Sequence, residues 1–115
     1  MKRTTTVKEN YEFRRIYAKG WSGVSPYLVV YVRPNRRGRN RLGVTVSTKL
    51  GHAVVRNRVR RRIREIYRLN KAKMLPGYDL IVVARVRAVE TDYQKLDRTY
   101  LRLLEQLDLL REDPS

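Results

Sequence analysis

The sequence predicts a single α+β domain, an α-β-β-α-β-α sandwich with its helices packed on a small central sheet. Three observations predict it. Apolar residues recur at helical spacing in three separated stretches. Two β-branched runs, YLVVYV and DLIVVA, are short enough for strands, and turn-forming segments such as RPNRRGRN and Pro76-Gly77 divide the elements. At 115 residues the chain suits one core that buries roughly 65% of the surface an unfolded form exposes. Residues 1–115 are therefore read as one domain, with 111–115 as a frayed tail.

Thr6 with Glu9 three residues later has the form of a capping box, which predicts a first helix over Val7–Lys19, stopped by Gly20. Phe13, Ile16 and Tyr17 fall at i, i+3, i+4, and periodicity alone makes that stripe core. Trp21–Pro26 reads as a short irregular or extended piece, and Tyr27–Val32 as a strand. Alternation sends Tyr27, Val29 and Tyr31 to one face and Leu28, Val30 and Val32 to the other. Either both faces are covered, or the tyrosine face meets a partner. The basic loop Arg33–Asn40 leads to a second strand, Arg41–Ser47, in which Leu42, Val44 and Val46 alternate with Gly43, Thr45 and Ser47. The two strands are expected to pair as an antiparallel hairpin.

A second helix runs from Ala53 or Val55 to Asn70, and Lys71–Tyr78 is the loop leaving it. The unbroken apolar run Asp79–Ala84 suits a central strand covered on both faces. Thr91 is placed to cap a third helix over Asp92–Leu110, whose stripe of Leu96, Tyr100, Leu103, Leu104 and Leu107 reads as core. If the strands on either side of the second helix are parallel, general rules make their crossover right-handed.

Charge carries the functional signal. The net charge is +16, and residues 1–78 hold 21 Lys/Arg against three Glu while residues 79–115 hold six against eight acidic residues. Such asymmetry points to a polyanion, either nucleic acid or an anionic membrane surface. The charge peaks between Arg56 and Arg64, where six of nine residues are arginine. At about 100° per residue, Val55, Val59, Ile63, Ile66 and Tyr67 share an arc of roughly 120°, which faces the core. Asn57, Arg61, Arg64 and Arg68 take the opposite pole, with Arg56 and Arg60 on one flank and Arg58 and Arg62 on the other. A lipid-seeking helix would bury Trp, Phe or Leu, whereas Val and Ile suit a protein core.

Arginines at (i, i+4) repel one another by a few tenths of a kcal/mol per pair. A helix that needed only solubility would mix both signs, so phosphate binding is the expected role. The planar guanidinium fork suits that task, since it grips two phosphate oxygens and stacks on bases. Charge alone does not separate DNA from RNA. Gly51 and Ala53 before the helix fit a close backbone approach and an ordinary helix start equally well.

Groupings that carry chemistry are scarce. Cysteine is absent, His52 is the only histidine, and Asp79, Glu90 and Asp92 form no recognisable metal-carboxylate motif. His52 is read as a phosphate contact or helix-start residue rather than a base or ligand. The N-terminus has no signal-like apolar run and no stretch is long enough to span a bilayer, so a cytoplasmic location is expected.

The run LGVTVSTKLGHAVVRNRVRRRIRE, Leu42–Glu65, resembles the signature of the bacterial ribonuclease P protein family, whose RNR motif corresponds to Arg56-Asn57-Arg58. The resemblance extends to a helix like Glu12–Lys19 followed by glycine, a strand like Leu28–Tyr31 ending in tyrosine, and the late GYDLIVVAR segment, Gly77–Arg85. It implies an accessory subunit of an endoribonuclease that cuts the 5′ leader from precursor tRNA. An RNA subunit carries the catalysis, the protein alone is inactive, and magnesium is held by RNA and substrate, so no cofactor is expected on the protein. The implied partners are the catalytic RNA and precursor tRNA, with neither DNA nor membrane.

By the same resemblance, Lys49, Arg56, Asn57, Arg58, Arg60, Arg61 and Arg64 bind the catalytic RNA, and Arg68, on the exposed pole of the same helix, is expected to join them. Phe13, Tyr17, Tyr31, Val44 and Val46 line a cleft for the single-stranded leader. That changes the meaning of the first helix's stripe, because Phe13, Tyr17 and Tyr31 would form a stacking platform. The resemblance also implies a ribosomal-protein-like fold with a left-handed crossover around the RNR helix, against the general rule. Departures are small: Arg60 stands where lysine is frequent, His52 where asparagine or another polar residue is common, and Tyr17 where phenylalanine is frequent. A structural RNA-binding module such as a ribosomal protein shares the charge but needs no aromatic cleft. Helix-turn-helix DNA binding fits poorly, since no helix precedes the basic one at a short turn.

Overall fold

The computed structural model describes residues 6–112. Its elements are α1 (Asn10–Lys19), β1 (Trp21–Val24), β2 (Leu28–Pro34), β3 (Arg41–Thr45), α2 (Ala53–Asn70), β4 (Tyr78–Ala84) and α3 (Tyr93–Gln106), with single 3₁₀ turns before α2, after it and before α3. The fold is α+β, as the sequence predicts. Four strands form one sheet in the order β1-β2-β4-β3. β1 and β2 are antiparallel, as are β2 and β4, while β3 lies parallel to β4.

Sheet order corrects the expected hairpin. β2 and β3 do not pair, because β4 lies between them and bonds to both. A strand with apolar side chains on both faces loses least in a central, doubly covered place, and in β4 Leu80, Ile81 and Val82 are fully buried. The loop between β2 and β3 therefore spans the end of a strand instead of making a tight turn. Its two asparagines satisfy that end: Tyr78 N donates to Asn40 Oδ1 at 2.8 Å, Asn40 Nδ2 to the Leu75 carbonyl at 3.0 Å, and Asn35 N to the Gly77 carbonyl at 2.9 Å. The hairpin that does form joins β1 to β2, so Trp21–Val24 is a strand.

Other boundaries move for local reasons. Thr6 opens no helix; it forms a parallel bridge with Leu42, and Val7 N donates to the Leu42 carbonyl at 3.0 Å along the edge of β3. α1 begins after Glu9, whose N–H donates to the Glu12 carboxylate at 3.4 Å, the reciprocal half of a capping box shifted by three residues. Asp92, not Thr91, caps α3 by accepting from Lys95 N at 2.8 Å, while the Thr91 hydroxyl donates to the Arg87 carbonyl. α3 stops at Gln106 because Asp108 turns left-handed (φ 59°). The tail is tied further than expected: Arg111 N donates to the Lys73 carbonyl and its Nε to the Met74 carbonyl. Residues 113–115 of the expected frayed tail lie outside the described residues.

Both faces of β2 are covered, though unequally. One face packs Leu28, Val30, Val32, Leu42, Leu80 and Val82 against Val59, Ile63, Ile66 and Tyr67 of α2 and Leu96, Tyr100, Leu103 and Leu104 of α3. Each such aliphatic side chain contributes about 1.5–3 kcal/mol by leaving water. Among the described residues, the other face carries Val7 and α1, with a small cluster around Ile16 and Ile81. Tyr27 is not on that face; it precedes β2 and packs against the main core, with Lys95 Nζ 5.1 Å and the Arg87 guanidinium carbon 5.6 Å from its ring centroid.

Candidate nucleic-acid interface

The basic helix folds as its spacing predicts. Val59, Ile63, Ile66 and Tyr67 are buried, while Val55 is only half-buried at the first turn. The start is set by Ser47, whose hydroxyl caps the 3₁₀ turn at Lys49 N, and by Gly51 at φ 139°, a backbone few L-residues adopt. His52 occupies the N-cap of α2 with its side chain exposed and making no capping bond.

The arginines of α2 divide by what they touch. Arg58, Arg61 and Arg64 are exposed with Asn57, and none of the three has an ion-pair partner among the described residues. Arg60 is half-buried and donates to Asn57 Oδ1 at 2.9 Å. Arg68 pairs with Glu65 at 2.7 Å, so part of its charge is already answered. Arg62 is tied to the Thr91 carbonyl at 3.2 Å. Arg56 is half-buried, with its Nε enclosed and unpartnered by protein. Asn57, Arg60, Arg61, Arg64 and Arg68 border a shallow groove of about 400 Å³, and Lys49 stands exposed before the helix.

On the opposite face of the sheet, three aromatic rings meet. Phe13 and Tyr17, one helical turn apart, have centroids separated by 6.4 Å; Tyr17 and Tyr31 lie edge to face at 4.7 Å and 88°. The Tyr17 hydroxyl is 3.1 Å from Thr45 Oγ1. Phe13 rests over Gly43, where an added Cβ would come within 2.8 Å of its ring. Phe13 and Tyr31 are half-buried and Tyr17 is 38% exposed, so the cluster is neither core nor free surface.

Val44 and Val46 do not join this cluster. Val46 is buried in the main core on the α2 side and Val44 packs against that core. The strand period explains the correction: if Gly43 and Thr45 face α1, their neighbours must face the other way. The residues sequence reasoning missed are therefore Gly43 and Thr45, with half-buried Val29 and Val83 beside Tyr31. The alternation in Arg41–Ser47 held that signal, once Phe13 was known to need a position without a side chain beneath it.

A second missed feature anchors α1. Arg41, buried at the start of β3, donates from Nε and Nη2 to the two carboxylate oxygens of Asp79 at 2.8 and 2.7 Å, and from Nη2 to Glu12 at 2.7 Å. Arg41 holds the Glu12 carboxyl below its usual range. For Asp79, burial pushes the pKa up, but hydrogen bonds from Arg41 and Asn35, together with the charges of Arg41 and Arg37, outweigh it and the net shift is downward. Burial also raises the Tyr67 hydroxyl to about 12. No three His, Cys, Asp or Glu residues among the described ones stand close enough to hold a metal ion. No helix among them is long and apolar enough to cross a membrane.

Comparison with known proteins agrees with this geometry. The family model for ribonuclease P matches residues 1–108. The ribonuclease P protein component of Natranaerobius thermophilus is 45% identical over 113 residues, covering 98% of both chains. That of Clostridioides difficile is 40% identical over 93% of this chain and 95% of its own. Among solved structures, the Staphylococcus aureus RNase P protein matches with a TM-score of 0.85 at 34% identity, over 95% of this chain and 100% of its own. The Thermotoga maritima RNase P protein matches at 0.82 and 31% identity, over 88% of this chain and 96% of its own. An arginine-faced helix on one side of a four-stranded sheet, aromatic rings on the other and these whole-chain likenesses lead to one conclusion: the chain belongs to the ribonuclease P protein family, the RNA-partnered protein components of the endoribonuclease that processes tRNA 5′ ends.

Proposed function

We propose that the protein docks on the catalytic RNA through the exposed side of α2 and receives the 5′ leader of precursor tRNA on the face carrying Phe13, Tyr17 and Tyr31. The RNA performs the cleavage with magnesium held by RNA and substrate, and the protein alone does not cut. One observation carries this reading: the arginine row and the aromatic cluster lie on opposite faces of a single sheet, so both RNAs can be engaged at once. Unpaired guanidinium groups on a regular helix suit a structured phosphate backbone, whereas half-open rings suit unstacked bases. Of the leader-binding residues carried over by resemblance, Phe13, Tyr17 and Tyr31 are retained, and Gly43 and Thr45 replace Val44 and Val46.

The test is reconstitution with a bacterial ribonuclease P RNA at low magnesium and modest salt. The expected result is faster precursor cleavage with protein than without, and none with protein alone. Equal rates with and without the protein would overturn the reading. A purely structural RNA-binding module would show tight RNA binding with no preference for precursor over mature tRNA.

A further inference from the structure

A third basic surface lies apart from both α2 and the aromatic cluster. The loop from β2 to β3 and the flank of α1 enclose a concavity of about 560 Å³, bordered by Arg15, Arg33, Arg36 and Arg37 with Glu12 and Asp79 at its floor. Arg15 is two residues from both Phe13 and Tyr17, which puts it on the far side of α1 from them. α1 is thus a ridge with rings on one flank and guanidinium groups on the other. α2 packs on the opposite face of the sheet altogether.

Arg41 takes both floor carboxylates at 2.7 Å, which leaves one net negative charge beneath a rim of four arginines, so the rim stays positive. Arg37 lies near enough to Asp79 to help hold its pKa down, yet it makes no ion pair. Arg15, Arg33, Arg36 and Arg37 have no salt-bridge partner among the described residues.

The loop is also built rather than slack. Asn35 Nδ2 donates to Asp79 Oδ1 at 2.8 Å and to the Arg39 carbonyl at 3.0 Å, and Asn35 Oδ1 accepts from Arg37 N at 2.8 Å. Arg36 is held left-handed at φ 59°, uncommon for a residue with a side chain, and Gly38 follows at 73°. Arg15 is steadied by the Tyr11 ring, with its guanidinium carbon 5.9 Å from the centroid. Four like charges gathered around one hollow repel one another, a cost that an anion seated there removes.

We propose that this concavity is a cradle for RNA backbone phosphates, a contact additional to α2 and to the aromatic face. Arginine rather than lysine at all four positions favours phosphodiester oxygens, which the guanidinium fork can grip in pairs. The phosphates come from the catalytic RNA or from the precursor tRNA. The inference rests on the reading of this chain as a ribonuclease P subunit, and its test keeps the two separable.

Arg36→Gln/Arg37→Gln is compared with Arg36→Lys/Arg37→Lys and with Arg15→Gln, which probes the hollow from another element. Each protein is titrated over a salt series in two arms. The first measures binding to a bacterial ribonuclease P RNA, and the second measures binding of precursor and mature tRNA by the reconstituted holoenzyme. The slope of log K against log salt is expected to fall by about 1.4–1.8 for the double glutamine variant, the value for two lost phosphate contacts. Arg15→Gln should lose about half as much, and the lysine variant should keep most of the slope. A fall in the first arm assigns the phosphates to the catalytic RNA; a fall only in the second assigns them to the precursor. Unchanged slopes in both arms for Arg15→Gln and the double glutamine variant overturn the cradle. Arg61→Ala is the control: if it lowers the first-arm slope while the loop variants change neither arm, the cradle alone fails, and if it too has no effect, the α2 reading fails with it.

Discussion

The hydroxyl of Tyr17 is spent inside the protein, 3.1 Å from Thr45 Oγ1, while its ring stands edge-on to Tyr31. A hydrogen bond that fixes the ring is a different role from one that reads a base. Tyr17→Phe is therefore expected to change precursor tRNA affinity by no more than about tenfold, since a neutral hydrogen bond is worth about 0.5–1.5 kcal/mol. Tyr17→Ala should lose about 1–3 kcal/mol of precursor binding through the missing stack. Mature tRNA, measured in parallel, should be unaffected by either change.

Gly43 supports Phe13 by lacking a side chain. Gly43→Ala places a Cβ 2.8 Å from the ring, so Phe13 must tilt out of its seat. Overpacking of this kind costs about 1–3 kcal/mol. The expected result is a lower unfolding midpoint with weakened precursor binding, and catalytic-RNA assembly intact. Unchanged precursor affinity would mean that Phe13 serves packing alone.

Arg61 and Arg62 are adjacent but unlike. Arg61 is exposed and unpaired, whereas Arg62 donates to the Thr91 carbonyl. Arg61→Ala should lower the salt slope of catalytic-RNA binding by about one and leave the thermal midpoint alone. Arg62→Ala should do the reverse, shifting the midpoint with little change in slope. Equal slopes for wild type and Arg61→Ala would argue against a phosphate contact there.

Acid should unfold the protein through Glu12 and Asp79. Both carboxyls have lowered pKa values when folded, so both ionised forms favour the native state. Their stabilisation is complete above the unfolded pKa of about 4 and fades as pH falls through the lower folded values. A denaturant midpoint that is steady near neutrality should therefore drop below about pH 4. Asp79→Asn should flatten that limb and cost about 3 kcal/mol at neutral pH, the low end for breaking a buried pair, because Glu12 still faces Arg41.

Much of this was legible in the sequence, and the losses have a common cause. α2 could be read almost to the residue because its apolar spacing and its charge lie within one stretch of chain. β4 was recognisable as central because it is apolar on both faces. Pairing partners were not legible: the order β1-β2-β4-β3 depends on which strand best fills a buried place, a competition among distant segments. The same non-locality hid the Arg41–Asp79–Glu12 cluster, whose members are joined only by sheet register and the seat of α1. Val44 and Val46 were misplaced because they were carried over by resemblance, position by position, whereas the strand's period decides which of its residues face the cleft.

The opposed faces of the sheet have a mechanical consequence. Thr45 and Val46 are neighbours in the chain, yet one bonds to Tyr17 and the other is packed in the α2-side core. In the proposed complex the sheet then acts as a gauge block: its thickness sets the spacing between scaffold RNA and leader, and strand register sets their alignment. A slip of one residue between β3 and β4 would turn the strand over and disorder both surfaces together. The parallel pairing of Gly43 with Ile81 is where that alignment is fixed.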